Sequence, residues 1–84
     1  MKDAYIGIPS LTEAQRAAEL LRRERIGCTV TRMPALPGKG SCAFGLRTDE
    51  NSLQILLTKL HRQGIHTGRV AIREANGALW EWKP

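Results

Sequence analysis

Few side chains in this chain have types and positions that suit them to chemistry, and Cys42 leads them. It follows the loop "PALPGKGS" (34–41), with Lys39 three residues before it. A thiol reacts as its thiolate, and a nearby cation or helix N-terminus favours that form. Lys39 would act on such a sulfur by charge and His66 by moving a proton, so Cys42, Lys39 and His66 are the candidate catalytic residues. Backbone N–H groups around Ser10 and Thr12, where the first helix should begin, would bind an anion. Gly38 and Gly40 would let the loop backbone approach a partner closely. A blander reading stands beside this one. Cys42 has the parity of Phe44 and Leu46, which on a regular strand turns it toward the helices as a small core residue.

The elements that must position these residues are readable from pattern. "DAYIGI" is a strand by its β-branched and aromatic content. "SLTE" pairs Ser10 with Glu13 as a capping box, and Leu11, Ala14, Ala17, Ala18 and Leu21 recur at helical spacing. Gly27 is the expected end of that helix. "CTVTRM" and "SCAFGLRT" are strands flanking the loop. "DENS" opens a second helix striped by Leu53, Leu56, Leu57 and Leu60 and closed by Gly64. "RVAIREA" is a fourth strand, and the Asn76-Gly77 turn folds "LWEW" back on it as a fifth. The order β-α-β-β-α-β plus a terminal hairpin predicts an α+β, ferredoxin-like sandwich, with an antiparallel sheet and both helices on one face. In that topology the end of strand one, the start of helix one, the 34–40 loop with Lys39, Cys42 and His66 share one pole. Cys28 falls at the other, too far for a disulfide.

A two-residue turn at Asn76-Gly77 places Trp80 opposite Arg73, with Trp80 and Trp82 on the open sheet face and Val70, Ile72 and Leu79 toward the helices. Trp80, Trp82 and Arg73 are therefore interface candidates, for a homodimer or another protein, or else a local cover for the sheet.

Composition bounds the reading. The chain has 84 residues, 42% hydrophobic and 25% charged, which suits one small globular domain spanning 1–84. No apolar run reads as a signal peptide or a membrane span, so a cytoplasmic protein with reduced cysteines and no membrane partner is expected. The net charge is +5, and nine of the thirteen basic residues are Arg. Such a charge suits nucleic acid, an acidic protein or an anionic ligand without choosing among them.

The sequence resembles a small family described as selenium/sulfur carrier protein-like. The shared pattern runs over about residues 4 to 72: "YIGI", then "SLTEAQRAAELLRRERIGCTVTRMP", then "PGKGSCAFGLR", then a second helix ending in "HRQGI". The family often has Gly directly after the cysteine, where this chain has Ala43. The resemblance implies that Cys42 carries a persulfide or selenide between a donor and an acceptor protein, with no cofactor of its own.

Other motifs carry less. "GKGS" lacks the first Gly of a P-loop and leads into a strand rather than a helix. His61 and His66 have zinc-ligand spacing, but Cys28 and Cys42 stand too far apart to complete a zinc set. An RNA-recognition module would need exposed strand aromatics, and the central strands offer only Tyr5 and Phe44. Nucleic acid is thus the weakest of three expectations, behind a thiol carrier and a non-catalytic interaction module. No arrangement for a self-sufficient enzyme is visible.

Overall fold

The computed structural model describes residues 2–38, 40 and 42–83. They form β1 (Asp3–Ile8), α1 (Leu11–Arg23), β2 (Thr29–Arg32), β3 (Phe44–Asp49), a short 3-10 turn (Glu50–Ser52), α2 (Leu53–Arg62), β4 (Val70–Arg73) and β5 (Leu79–Trp82). The strands make one antiparallel sheet in the order β2-β3-β1-β4-β5, an α+β architecture consistent with a ferredoxin-like arrangement.

Strand alternation sorts the residues into two layers. Ala4, Ile6 and Ile8 of β1 meet Leu46, Val70 and Ile72 on one face, and the apolar stripes of α1 and α2 close over them as the main core. On the other face Tyr5 and Ala71 form a smaller cluster with Leu36, Met33 and Leu79. Leu36 belongs to the loop between β2 and β3. That loop therefore lies over the sheet face opposite the helices, and Leu36 is only 7% exposed beneath it. Residues 33–38 are a strap across what the sequence suggested was open sheet.

The helix starts follow the sequence. The Ser10 side chain accepts from the Glu13 N–H at 3.1 Å, and Asp49 accepts from the Ser52 N–H at 2.9 Å before α2. The ends are more instructive. Both helices close with paired backbone bonds, Ile26 N–H to Leu21 O and Arg25 N–H to Arg22 O after α1, and Ile65 N–H to Leu60 O and Gly64 N–H to His61 O after α2. This closure needs one left-handed residue. Gly64 fills the role after α2 with φ +72, but after α1 it falls to Arg25 with φ 61, not to the expected Gly27. A side chain in that conformation costs about 1 kcal/mol. Arg25→Gly should therefore raise stability by about 0.5–1 kcal/mol in a urea melt.

The terminal hairpin differs from expectation by one residue. Glu74 N–H bonds to Ala78 O at 2.8 Å and Gly77 N–H to Glu74 O at 2.9 Å, so the loop is Ala75-Asn76-Gly77, with Gly77 left-handed at φ 90. A loop of this length is a type I turn followed by a glycine bulge. The pairs become Arg73 with Leu79, Ile72 with Trp80 and Val70 with Trp82. A one-residue slip moves every side chain to the other face. Trp80 and Trp82 thus lie on the helix side of the sheet, and Leu79 faces the strap, the reverse of the expected placement.

Candidate functional site

Strand β3 begins at Phe44, later than the sequence suggested, with Met33 N–H bonded to Ala43 O at 3.0 Å. Cys42 lies before the strand, so strand parity does not govern it. Its sulfur sits over Gly7 and Gly68. A Cβ built on Gly7 would stand 3.2 Å from the Cys42 Sγ, and one on Gly68 only 2.8 Å from it. Gly7 alternates with Tyr5, so this seat is on the strap side of the sheet, not among the helices. Gly68 N–H donates to Gly7 O at 2.7 Å and Gly7 N–H to Arg69 O at 2.9 Å. Gly68 and Arg69 together oppose Gly7, the two-against-one of a β-bulge. Cys42 is free and half-buried.

Arg69 was not singled out by sequence reasoning, yet it organises this end of the molecule. Its Nε and Nη2 fork onto the two Glu81 carboxylate oxygens at 3.0 and 2.8 Å, and Nη2 also donates to Pro37 O at 2.6 Å. The hydrogen bond from Arg69 holds the Glu81 carboxyl below the usual carboxylate range, against a smaller desolvation effect. A three-residue hairpin loop would have put Arg69 and Glu81 on the same sheet face; the two-residue reading hid the pair.

The other candidates distribute as follows. His66 is exposed, in the α2–β4 connection that also carries Gly68. Lys39 lies outside the described residues. Gly38 and Gly40 are exposed on the strap and its exit, and the ideal Cβ of Gly38 would be 4.0 Å from Arg69 Nη1. Ser10 and Thr12 are exposed at the start of α1, and the Ser10 hydroxyl is already used as the helix cap. Because α1 covers the opposite face from the Cys42 sulfur, the helix start and the thiol share a pole but are separated by the sheet.

Cys28 packs against the main core at the other end, beside Thr48 and Asp49. Burial pushes its thiol pKa up, with Arg22 opposing weakly. A raised thiol pKa lowers the thiolate fraction at neutral pH. His61 contacts the Thr67 hydroxyl at 3.2 Å. Both line a groove of about 300 Å³ between α2 and β5 with Leu57, Val70 and Trp82. Trp82 is half-buried against the core there, and Trp80 is 41% exposed with its indole N–H donating to Glu74 at 2.6 Å. Arg73 stacks over the Tyr5 ring, 5.3 Å from its centroid, instead of meeting Trp80. Tyr5 is only 6% exposed, so it offers no stacking platform.

Among the described residues no group of three or more His, Cys, Asp or Glu is placed to hold a metal, and no helix is long and apolar enough to cross a membrane. Comparison of the chain with family models, curated proteins and solved structures gives no match.

Proposed function

We propose that this ferredoxin-like domain, extended by β5, is a carrier or accessory protein whose working group is the Cys42 thiol. The observation that carries this reading is the seat of the sulfur. It is half-buried at the exit of the strap, bedded on two glycines whose side chains would displace it, and outside the helix-packed core. A core filler would pack against the main core, as the half-buried Cys28 does. In the reaction the Cys42 thiolate attacks the outer sulfur of a donor persulfide. A new S–S bond forms on Cys42, the donor's own S–S bond breaks, and the donor leaves as a thiolate. An acceptor thiolate reverses the step. Selenium would travel the same way as a perselenide. His66 is the residue we assign to proton transfer. Two free cysteines suit a reducing, cytoplasmic setting.

The test is direct. The reduced protein is incubated with a low-molecular-weight persulfide and mapped by mass spectrometry. Cys42 should gain one sulfur atom that a dithiol removes, Cys28 should gain none, and Cys42→Ser should abolish uptake. Uptake at neither cysteine, or at Cys28 instead, sinks the reading.

One observation favours a second reading, a protein-interaction module. Trp80 is 41% exposed on β5, an edge strand whose outer backbone groups have no neighbour in the sheet. The surface concerned is the helix side of β5, not the strap side. Trp80→Ala would weaken self-association or partner binding there while leaving sulfur uptake at Cys42 unchanged.

A further inference from the structure

We infer that Arg69 controls how readily the Cys42 thiol leaves its seat, acting as a latch that fastens the strap to the sheet. The inference rests on the reading of Cys42 as the working thiol and names what regulates it. Two sets of contacts converge on this one residue. Through its backbone, Arg69 helps build the bed: its carbonyl accepts from Gly7 N–H at 2.9 Å, and its neighbour Gly68 closes the bulge under the sulfur. Through its side chain, Arg69 holds the strap, since the Nη2 that bonds Glu81 also donates to Pro37 O at 2.6 Å. Both partners of the ion pair are mostly shielded, with side-chain exposures of 19% and 27%. Water therefore screens this fork less than it screens the exposed pairs on α1.

Among the described residues the strap is also tied at its start, by Met33 N–H to Ala43 O at 3.0 Å. Pro34 and Pro37 have no N–H and cannot join the sheet ladder. Leu36 and Met33 supply the apolar contact, packed with Tyr5, Ala71 and Leu79. With the latch closed, the Cys42 sulfur rests on Gly7 and Gly68. With the latch open, residues 33–38 lose their charge-assisted tie. Cys42 can then swing outward, where a donor persulfide can reach it in line. Arg69 is thus a positioning residue, and Glu81 holds it in the latching geometry.

Arg69→Met keeps the length and apolar stem of the side chain and removes the fork. Glu81→Gln keeps an acceptor and removes the charge. The measurement is the second-order rate of iodoacetamide alkylation at each cysteine in the native reduced protein, read by peptide mass spectrometry over a range of pH. Arg69→Met should speed labelling of Cys42 about tenfold and Glu81→Gln about threefold, as expected for loss of a charged hydrogen bond that holds a segment down. Cys28, at the far end of the sheet, should not change. An unchanged or slower Cys42 overturns the latch. So does a parallel rise at both cysteines with a lowered Tm, since that reports general loosening. This readout is separate from sulfur uptake. If the Cys42 to Cys28 ratio shifts in the variants but the wild type takes no sulfur, the latch stands and the carrier reading falls. If sulfur is taken up and the ratio does not shift, the reverse holds.

Discussion

Gly45→Ala is expected to remove most of the stability of the fold. Gly45 pairs with Gly7 across β3 and β1, next to the Ile6–Leu46 pair at the centre of the sheet. A Cβ at Gly45 would collide with the Ile6 carbonyl oxygen and stand 2.6 Å from the Met33 Sδ. The methionine end can turn away at small cost. The carbonyl cannot, because it belongs to the central strand, held on one side by β3 and on the other by β4. Relief requires β1 and β3 to move apart, straining the strand pair that carries Ile6 and Leu46, both fully buried. Overpacking against backbone at such a place costs about 3 kcal/mol or more. A domain of this size has roughly 5 kcal/mol to lose. At roughly 4–8 °C per kcal/mol, Tm should fall by at least about 12 °C. Gly27→Ala is the control: nothing stands within 4 Å of its Cβ and its φ is ordinary, so its Tm should barely move. Equal melting of the two variants would show that β1 and β3 do not approach as closely at Gly45 as described.

What the sequence made legible, and what it hid, follows from the range of the forces involved. Helix starts are set by side chains bonding to backbone a turn away, so Ser10 with Glu13, and the opening of the second helix at "DENS", could be read directly. The strand order followed from alternation and crossover handedness, which act over whole elements. The hairpin was lost on one residue. Asn-Gly favours a two-residue turn locally, but the longer loop sets Trp82 opposite Val70 on the helix side, packed against the main core. At the helix ends, Arg25 takes the conformation that Gly27 was expected to supply. The packing of Ile26 against the core fixes the closure there regardless of the local preference for glycine. The strap was illegible for a different reason. Nothing near Leu36 in the chain says that it will settle on Tyr5 and Ala71, which lie far away in sequence, and Arg69 is visible as its tether only once Pro37 is folded over it. The candidate thiol could be named from its neighbours in sequence; its seat could not, because that seat is made by Gly7 and Gly68 from two other segments.

That seat sets the second large effect, Gly68→Ala. The new Cβ would stand 2.8 Å from the Cys42 Sγ and 3.6 Å from the Gly7 oxygen. The backbone at Gly68 is not left-handed, so the methyl adds no conformational strain, and its cost comes from the sulfur it displaces. The sulfur gives way by turning out of its bed or by shifting the backbone at Cys42. The expected loss is about 2 kcal/mol, together with faster labelling of Cys42. A double-mutant cycle isolates the cause. With Cys42→Ala the sulfur is absent, and the same Gly68→Ala change should cost only a few tenths of a kcal/mol, leaving a coupling of about 1–2 kcal/mol. Equal costs in the two backgrounds would mean that the sulfur does not rest on Gly68, and the argument for a specially seated thiol would lose its footing. A strong coupling would show that the glycine makes room for the sulfur. That is a demand which Cys28, half-buried against the main core, does not make.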